Sequence, residues 1–511
     1  KIIRVLGRKG INNVEMESIV IEKGFEIGFP REVELEAEKL EKTEIPTSEA
    51  EIAKRRDFRK TLTVTIDPID AKDFDDAISF KTLPDGTYEI GVHIADVSHY
   101  VRPKTELDRE AQKRGFSVYL VDRTIPMLPE VLSNDLCSLN ADQDKLTFSA
   151  VFIVDKSAKI LNSWYGKTII HSDKRFTYEE VQEILEAGKG LYGEELKELN
   201  RLAKILQKDK FQKGAIDFEQ DEVKFELDKV TGKPLRVYRK ERKDAHRLVE
   251  EYMLLANRGV AEFIFHAHKK KAGAAFIYRI HDIPKVEKIR DLSIFLKALG
   301  YELEERDGEV LSKDINALLK MIEGKPEESL IKTAAVRSMA KAIYSTQNIG
   351  HFGLAFEYYT HFTSPIRRYA DLLVHRLLAR HLNGEPIEQG EISSYERLAQ
   401  YTTEKEISAA EAERASIKYK QVEFMQDHVG KTFDGIIAGV TEWGIYVEEV
   451  LTRCEGMVRL KDLTDDFYVL NEKQYAIIGE KTKKKYTLGD KVKFKVMKAD
   501  LDSKTLDYIL V

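Results

Sequence analysis

The stretch TIDPIDAKDFDDAISF, residues 65–80, decides how the rest of the chain is read. It opens on the end of TLTVTI (61–66), whose β-branched and polar residues alternate with the period of a half-buried strand. It closes on the strand-like DDAISF. LPDG (83–86) then supplies hairpin turn chemistry leading into TYEIGVHIADVSHYV. Between the strands sit Asp67, Asp70, Asp73, Asp75 and Asp76, five carboxylates within ten residues. Like charges this close raise one another's pKa. A hard divalent cation relieves that repulsion, and Mg²⁺ or Mn²⁺ prefers carboxylate oxygen to imidazole or thiolate. Two such ions can clamp the attacking and leaving oxygens of a phosphodiester. In an extended segment Asp73 and Asp75 share a face, while Phe74 turns toward a core. Pro68 fixes a turn after Asp67 that could bring it back toward them. A solvated Asp-rich loop is the plain alternative. A calcium loop of EF-hand type is another, but its glycine and terminal glutamate are missing.

Around this stretch the chain has globular proportions: 511 residues, 42% hydrophobic and 33% charged, with 29 Gly and 12 Pro. At about 150 residues per domain that suggests roughly three to four domains. No apolar run is long enough to span a bilayer. Cys137 and Cys454 are too few for a disulfide framework or a Cys-rich zinc site, and a reducing cytoplasm is the natural setting. The start, Lys1-Ile2-Ile3-Arg4, lacks both Met and an apolar leader, as expected of a piece of a longer chain. A net charge of −6 argues, taken alone, against nucleic acid as the partner.

Residues 1–24 carry β-type runs (IIRVLG, VEMESIVIEK) and are expected to end a small β domain. REVELEAEKLEK favours helix, as does KTELDREAQKRG, which should stop at Gly115. KLTFSAVFIVDKSAKILNSWYGKTII is β-rich. Helices are expected from Tyr178 to Gln207, from Lys243 to His268, in further segments up to Ser345, and from about Ser393 to Asp427. After HVG the composition switches to short strands. Short lysine-rich stretches lie around Lys270 and Lys484.

A second constellation is YYTHFTSPIRRYADLLVHR. Ser364 then Pro365 is expected to start a helix, with Ser as N-cap and Pro at the first helical position. Arg367 and Arg368 would fall in its first turn, where free N–H groups and the dipole favour phosphate. Tyr358, Tyr359, His361 and Phe362 would offer aromatic surface beside it. An ordinary capped surface helix with two solvated arginines is the alternative.

DPIDAKDFDDAISF, SVYLVDRTIPMLPEVLSNDLCSLN, KGAIDFE and HFTSPIRRYADLLVHR, in that order between about Asp57 and Asp427, resemble the RNB family. These are the 3′→5′ exoribonucleases of the ribonuclease II and ribonuclease R group, and the second and fourth motifs look closer to the ribonuclease R branch. The resemblance implies an α+β multidomain chain. An RNB catalytic domain (25–427), with a mixed sheet and many helices, would follow a remnant of a cold-shock-type OB domain (1–24). A five-stranded OB barrel of ribosomal-protein type (428–511) would close it. It further implies that Asp67, Asp73, Asp75 and Asp76 hold one or two Mg²⁺ or Mn²⁺ ions, with Asp70 outside the pattern. Tyr119 would stack on the 3′-terminal base, although strand-core packing is the alternative from sequence. Arg367, with Arg368 beside it, would face the terminal phosphates. Glu413 falls where an ungapped alignment puts a family glutamate near the reacting phosphate, and a surface glutamate is the alternative. Arg242, Lys243, His246 and Arg247 could line an RNA channel or form a solvated helix face.

In the barrel, Phe433, Trp443 and Tyr446 are spaced for display, where bases could stack, or for the core. KTKKKYTLGDKVKFKVMK supplies positive charge for a phosphate backbone. The activity implied is processive release of nucleoside 5′-monophosphates from the 3′ end of single-stranded or structured RNA, by a cytoplasmic monomer in RNA turnover. An RNA-binding protein with a disabled site, or an endonuclease, are the competing classes. The −6 then reads as a sum over an acidic metal site and separate basic segments.

Overall fold

The computed structural model describes the chain except residues 1, 3, 44–47, 218–221, 269–274, 305–309, 326 and 472–474. The Lys270 stretch, and Phe218 and Glu219 of the KGAIDFE motif, lie outside the described residues.

In chain order the strands of the first half are β1 (Arg56–Asp57), β2 (Thr63–Asp67), β3 (Asp76–Thr82), β4 (Tyr88–Ala95), β5 (Val118–Tyr119), β6 (Thr124–Ile125), β7 (Asp144–Val154), β8 (Ile160–His171) and β9 (Lys174–Thr177). Seven of them form one mixed sheet in the order β1-β8-β7-β4-β3-β2-β9, and β5 pairs with β6 apart from it. The outer pairs β1/β8 and β2/β9 are parallel and the inner pairs antiparallel. Register then fixes where the carboxylates go. Val64 opposes Ile78, so the end of β2 lies beside the start of β3. Asp67 also opposes Thr177 at the end of β9.

Helices cover one face. Phe148 of β7 packs edge-on against Phe362 and against His375 of the Tyr369–Leu382 helix. Farther along β7, Phe152 faces Gly259 of the Asp244–His268 helix, where a Cβ would lie 2.6 Å from the Tyr165 hydroxyl. Glycine at that point lets the helix come close to the sheet. A buried polar ladder crosses the sheet: His93 bonds Ser149 and Ser79 at 2.7 and 2.8 Å, and the Ser149 and Thr147 hydroxyls meet Thr168. Burial pushes the His93 pKa down to about 3, which keeps the ring neutral.

Most expected helices are present, including Glu106–Arg114 ending at Gly115, whose φ of 73° suits glycine. The opening stretch differs from expectation. VEMESIVIEK lies within a helix, Asn12–Glu22, and residues 1–24 contain no strand among the described residues. Met16, Ile19 and Val20 fall on one helical face and join the core of the large sheet domain. Spacing of three and four residues won over β-propensity, because burying that face requires a helix. An antiparallel hairpin, Glu222–Leu227 with Pro234–Lys240, was also not expected.

At the C-terminus, strands Thr432–Thr441, Gly444–Glu449, Glu455–Arg459, Lys491–Asp500 and Thr505–Leu510 close a barrel. A small sheet (Tyr468–Asn471, Ala476–Gly479, Lys485–Thr487) is inserted between its third and fourth strands. Barrel residues Ile437, Ile445 and Phe494 share a core with Leu292, Leu318 and Ile331 of the preceding helices and with Val422 of the long Gln389–Gln426 helix.

A buried ion cluster ties the chain before β1 to the sheet. Asp96 receives Arg55 Nη2 at 2.8 Å, Lys167 Nζ at 2.7 Å and Ser98 Oγ at 2.6 Å. Burial works to raise the Asp96 pKa, but Lys167 and Arg55 outweigh it and hold the carboxyl far below its usual range. A folded-state pKa below the unfolded value gives stability that is present above about pH 4 and fades as pH falls below it. Asp96→Asn should therefore lower stability by about 3–5 kcal/mol at neutral pH, since buried Arg55 and half-buried Lys167 lose the carboxylate they share and Arg55 keeps only Glu51. A denaturant titration at pH 7 reads this directly, and an unchanged midpoint would exclude it.

Candidate active site

Asp67 ends β2, Asp73 and Asp75 follow the connecting loop, and Asp76 begins β3, so one sheet end carries all four carboxylates. Phe74 turns inward and is buried, as alternation requires. Each of the four has its pKa raised, first by burial. The charge of Asp76 adds to the rise at Asp67. Asp67 Oδ2 is buried and lacks a hydrogen-bond partner. Asp70 is exposed on the loop, apart from the set.

Asp75 is held differently. Its Oδ1 accepts the Ile366 N–H at 2.9 Å, and its Oδ2 lies 3.7 Å from Arg367 Nε. This contact corrects the expected helix start. Residues 365–367 form a turn, Arg368 is extended, and the helix begins at Tyr369. The N–H groups expected to meet phosphate are used inside the protein: Ile366 on Asp75, and Ser364 on Asp371 Oδ1 at 2.8 Å. The segment also joins the β5 region, because Ser117 N–H bonds Arg367 O and Tyr369 N–H bonds Gly115 O. Those backbone bonds hold Arg368 extended and delay the helix.

The two arginines consequently part. Arg367 stays substantially exposed, faces Asp75 and bonds Ser364 Oγ at 3.0 Å. Arg368 is buried on Asp371 at 2.7 Å and adds only its field to the site, where it helps oppose the rise at Asp76. Of the pair, only Arg367 stands beside the acidic set with its guanidinium open to solvent. Tyr359 and Phe362, expected as surface, are buried, His361 is half-buried against the Tyr344 hydroxyl at 2.7 Å, and Tyr358 packs against Phe265.

Tyr119, on β5, has an exposed ring with its hydroxyl 3.5 Å from Asp73 Oδ2, at the edge of the acidic set. Glu413 is exposed on the long helix, and its charged neighbours are Lys224, Glu222 and Arg414 rather than the aspartates. Of the basic residues after β9, Arg242 pairs with Glu250 at 2.6 Å, and Lys243 is exposed at the start of the Asp244–His268 helix. Arg247 borders a small recess with Asn200, Asp244 and Glu251. His246 instead stacks flat on Tyr178, 4.2 Å between centroids. Burial, then the charges of Asp76 and Asp67, push up the Tyr178 hydroxyl, so this ring borders the acids. Sequence reading missed Tyr178. The capping box of Thr177 and Glu180 marks its helix start, but its place beside Asp67 depends on the parallel pairing of β2 with β9.

In the barrel, Trp443 is exposed at a hairpin turn, and Tyr446 alternates with buried Ile445 and Val447, so it faces outward. Phe433 opposes Phe494 and stacks on it at 6.0 Å, which places it on the inner face rather than on display.

Oxygen donors only, one buried and unpartnered, fit a hard divalent ion. Among the described residues no three acidic, histidine or cysteine side chains already converge as a closed ligand cage. The split between the arginines is directly measurable. Arg368→Gln should destabilise by about 3–5 kcal/mol by stranding buried Asp371, whereas Arg367→Gln, which removes a looser contact made by a half-exposed side chain, should cost no more than about 1 kcal/mol. Denaturant midpoints for the two variants that were equal would contradict the assignment.

The chain resembles known proteins over most of its length. The family model described as RNB domain matches residues 55–384, and the S1 RNA binding domain model matches residues 426–508. Ribonuclease R of Aquifex aeolicus is 39% identical over 100% of this chain and 72% of its own length. Ribonuclease R 1 of Lactococcus lactis is 39% identical over 99% of this chain and 62% of its own length. The solved structure of Mycoplasma genitalium RNase R in complex with ribose methylated single-stranded RNA superposes with a TM-score of 0.92 at 30% identity, covering 99% of this chain and 79% of that one. The chain belongs to the RNB-domain family, in company with bacterial ribonuclease R.

Proposed function

We propose that this chain is a divalent-metal-dependent 3′→5′ exoribonuclease that shortens single-stranded RNA processively to nucleoside 5′-monophosphates. One observation carries the reading: four carboxylates share a buried sheet end, with Arg367 and the exposed Tyr119 ring at its edge. The relatives named above are ribonucleases R, and one of them has been solved with single-stranded RNA. That the fold class carries an RNA-binding S1 barrel agrees with a nucleic-acid substrate despite the net charge of −6.

Asp67, Asp73, Asp75 and Asp76 are the residues that would hold Mg²⁺ or Mn²⁺, and such an ion supplies charge stabilisation at the scissile phosphate. The chain's own groups do the rest. Tyr119 stacks on the terminal base and sets which phosphodiester lies over the acids. Arg367, the exposed arginine of the pair, donates to the phosphate oxygens as charge builds there. Asp75, fixed through Oδ1 by the Ile366 N–H, presents Oδ2 on the same side as Arg367. Trp443 and Tyr446 offer stacking surface to RNA farther from the site. No helix among the described residues is long and apolar enough to cross a membrane.

A 5′-labelled single-stranded RNA, incubated with and without EDTA, tests the reading. It predicts that the full-length label shortens to one small end product, with mononucleotides released, and that chelation abolishes this. A ladder of internal cuts would overturn the exonuclease assignment, and undiminished activity in EDTA would overturn the metal. Asp75→Asn should remove turnover while RNA affinity changes little. Arg367→Gln should slow turnover by about 10²–10³-fold. Tyr119→Ala should change the length of the final short product.

A further inference from the structure

The connection leaves the sheet after Asp67 and re-enters it at Asp76, and its first part, Pro68–Lys72, sets the distance between Asp67 and the other three carboxylates. Most of it faces water: Ile69 is 76% exposed. Its far end is fixed by neutral partners. Ser138 Oγ accepts the Phe74 N–H at 2.9 Å and donates to Lys72 O at 2.8 Å, and Leu139 N–H bonds Phe74 O at 3.0 Å. Its near end is held by a single side chain from another strand. Arg175 of β9 donates from Nη2 to both Pro68 O (2.8 Å) and Ile69 O (2.9 Å). Its guanidinium also lies over the Phe74 ring, 5.0 Å from the centroid. Arg175 thus touches both sides of the loop, the turn after Asp67 and the residue between Asp73 and Asp75.

We propose that Arg175 is a positioning residue for the metal site: it clamps the 68–72 loop so that Asp67 stays within reach of a cation shared with Asp73 and Asp76. The pairing register supports this. Arg175 opposes Thr65, two residues before Asp67, so β9 delivers the guanidinium alongside the loop. The buried Arg175 Nε has no hydrogen-bond partner, so the side chain is anchored through the loop carbonyls and the ring. A lysine would keep the charge there but has no planar guanidinium to lie over the Phe74 ring while it bonds the loop carbonyls.

The inference rests on the metal-site reading above, and its test separates the two. Mn²⁺ is titrated into the intact chain and into Arg175→Lys and Arg175→Ala, with unbound Mn²⁺ followed by electron paramagnetic resonance. Thermal midpoints and RNA affinity in EDTA are measured alongside. The clamp predicts that both variants bind Mn²⁺ about 10–100-fold more weakly, the range for partners that orient metal ligands, with RNA affinity in EDTA unchanged. If the alanine variant does not fold, the lysine variant alone decides. Lysine that restores full Mn²⁺ affinity would reduce the role to charge and overturn the clamp, as would wild-type affinity in both variants. A wild-type chain that binds no Mn²⁺ would overturn the metal-site reading together with this inference.

Discussion

Four carboxylates crowded at a buried sheet end is the constraint on which the rest of this structure depends. Burial raises the cost of each charge, and each neighbour raises it further. The protein answers with partners drawn from distant sequence. The Ile366 N–H takes one oxygen of Asp75, Arg367 faces the other, and Arg175 braces the loop between Asp67 and Asp73. Asp67 Oδ2 is left without any such partner. A site built to stay empty would have little reason to leave that atom unmatched, and a cation would match it.

The same constraint explains why the chain departs from its local signals around residue 364. Ser-Pro is strong helix-start chemistry, yet the segment remains a turn followed by an extended residue. Its N–H groups are bound by two buried carboxylates, Asp75 and Asp371, and its backbone is tied to Gly115 and Ser117. Those long-range bonds outweigh a local cap worth about 1 kcal/mol. They also link Tyr119 to Arg367 through adjacent backbone, so the base-facing ring and the phosphate-facing cation are held in one piece.

Much of this was legible beforehand. The β2–β3 alternation, the hairpin turn at LPDG, the Gly115 helix stop and the barrel strands after residue 430 all follow from local period and turn chemistry, and the motifs carried the family resemblance. What local chemistry does not encode is which distant strands pair. The parallel β2/β9 register brings Tyr178 and Arg175 to the acids from a hundred residues away. The buried His93 ladder looks polar in sequence and lies in the interior because Ser79, Ser149 and Thr168 satisfy it across three strand pairs. Asn12–Glu22 misled because β-rich composition and helical spacing coincide there, and only the buried face distinguishes them. Arg367 and Arg368 are neighbours of one type with opposite environments, a difference set entirely by Asp75 and Asp371.

The central claim is that a divalent cation relieves the repulsion in this cluster, and thermal stability against Mg²⁺ concentration tests it most directly. Ligand that binds only the folded state stabilises it progressively as its concentration passes Kd. The wild-type midpoint should therefore climb with Mg²⁺. A chain carrying both Asp67→Asn and Asp76→Asn should melt higher than wild type in EDTA, because two half-buried carboxylates that crowd each other are gone, and should no longer respond to Mg²⁺. A wild-type midpoint indifferent to Mg²⁺, or a double variant that still responds in full, would contradict the account.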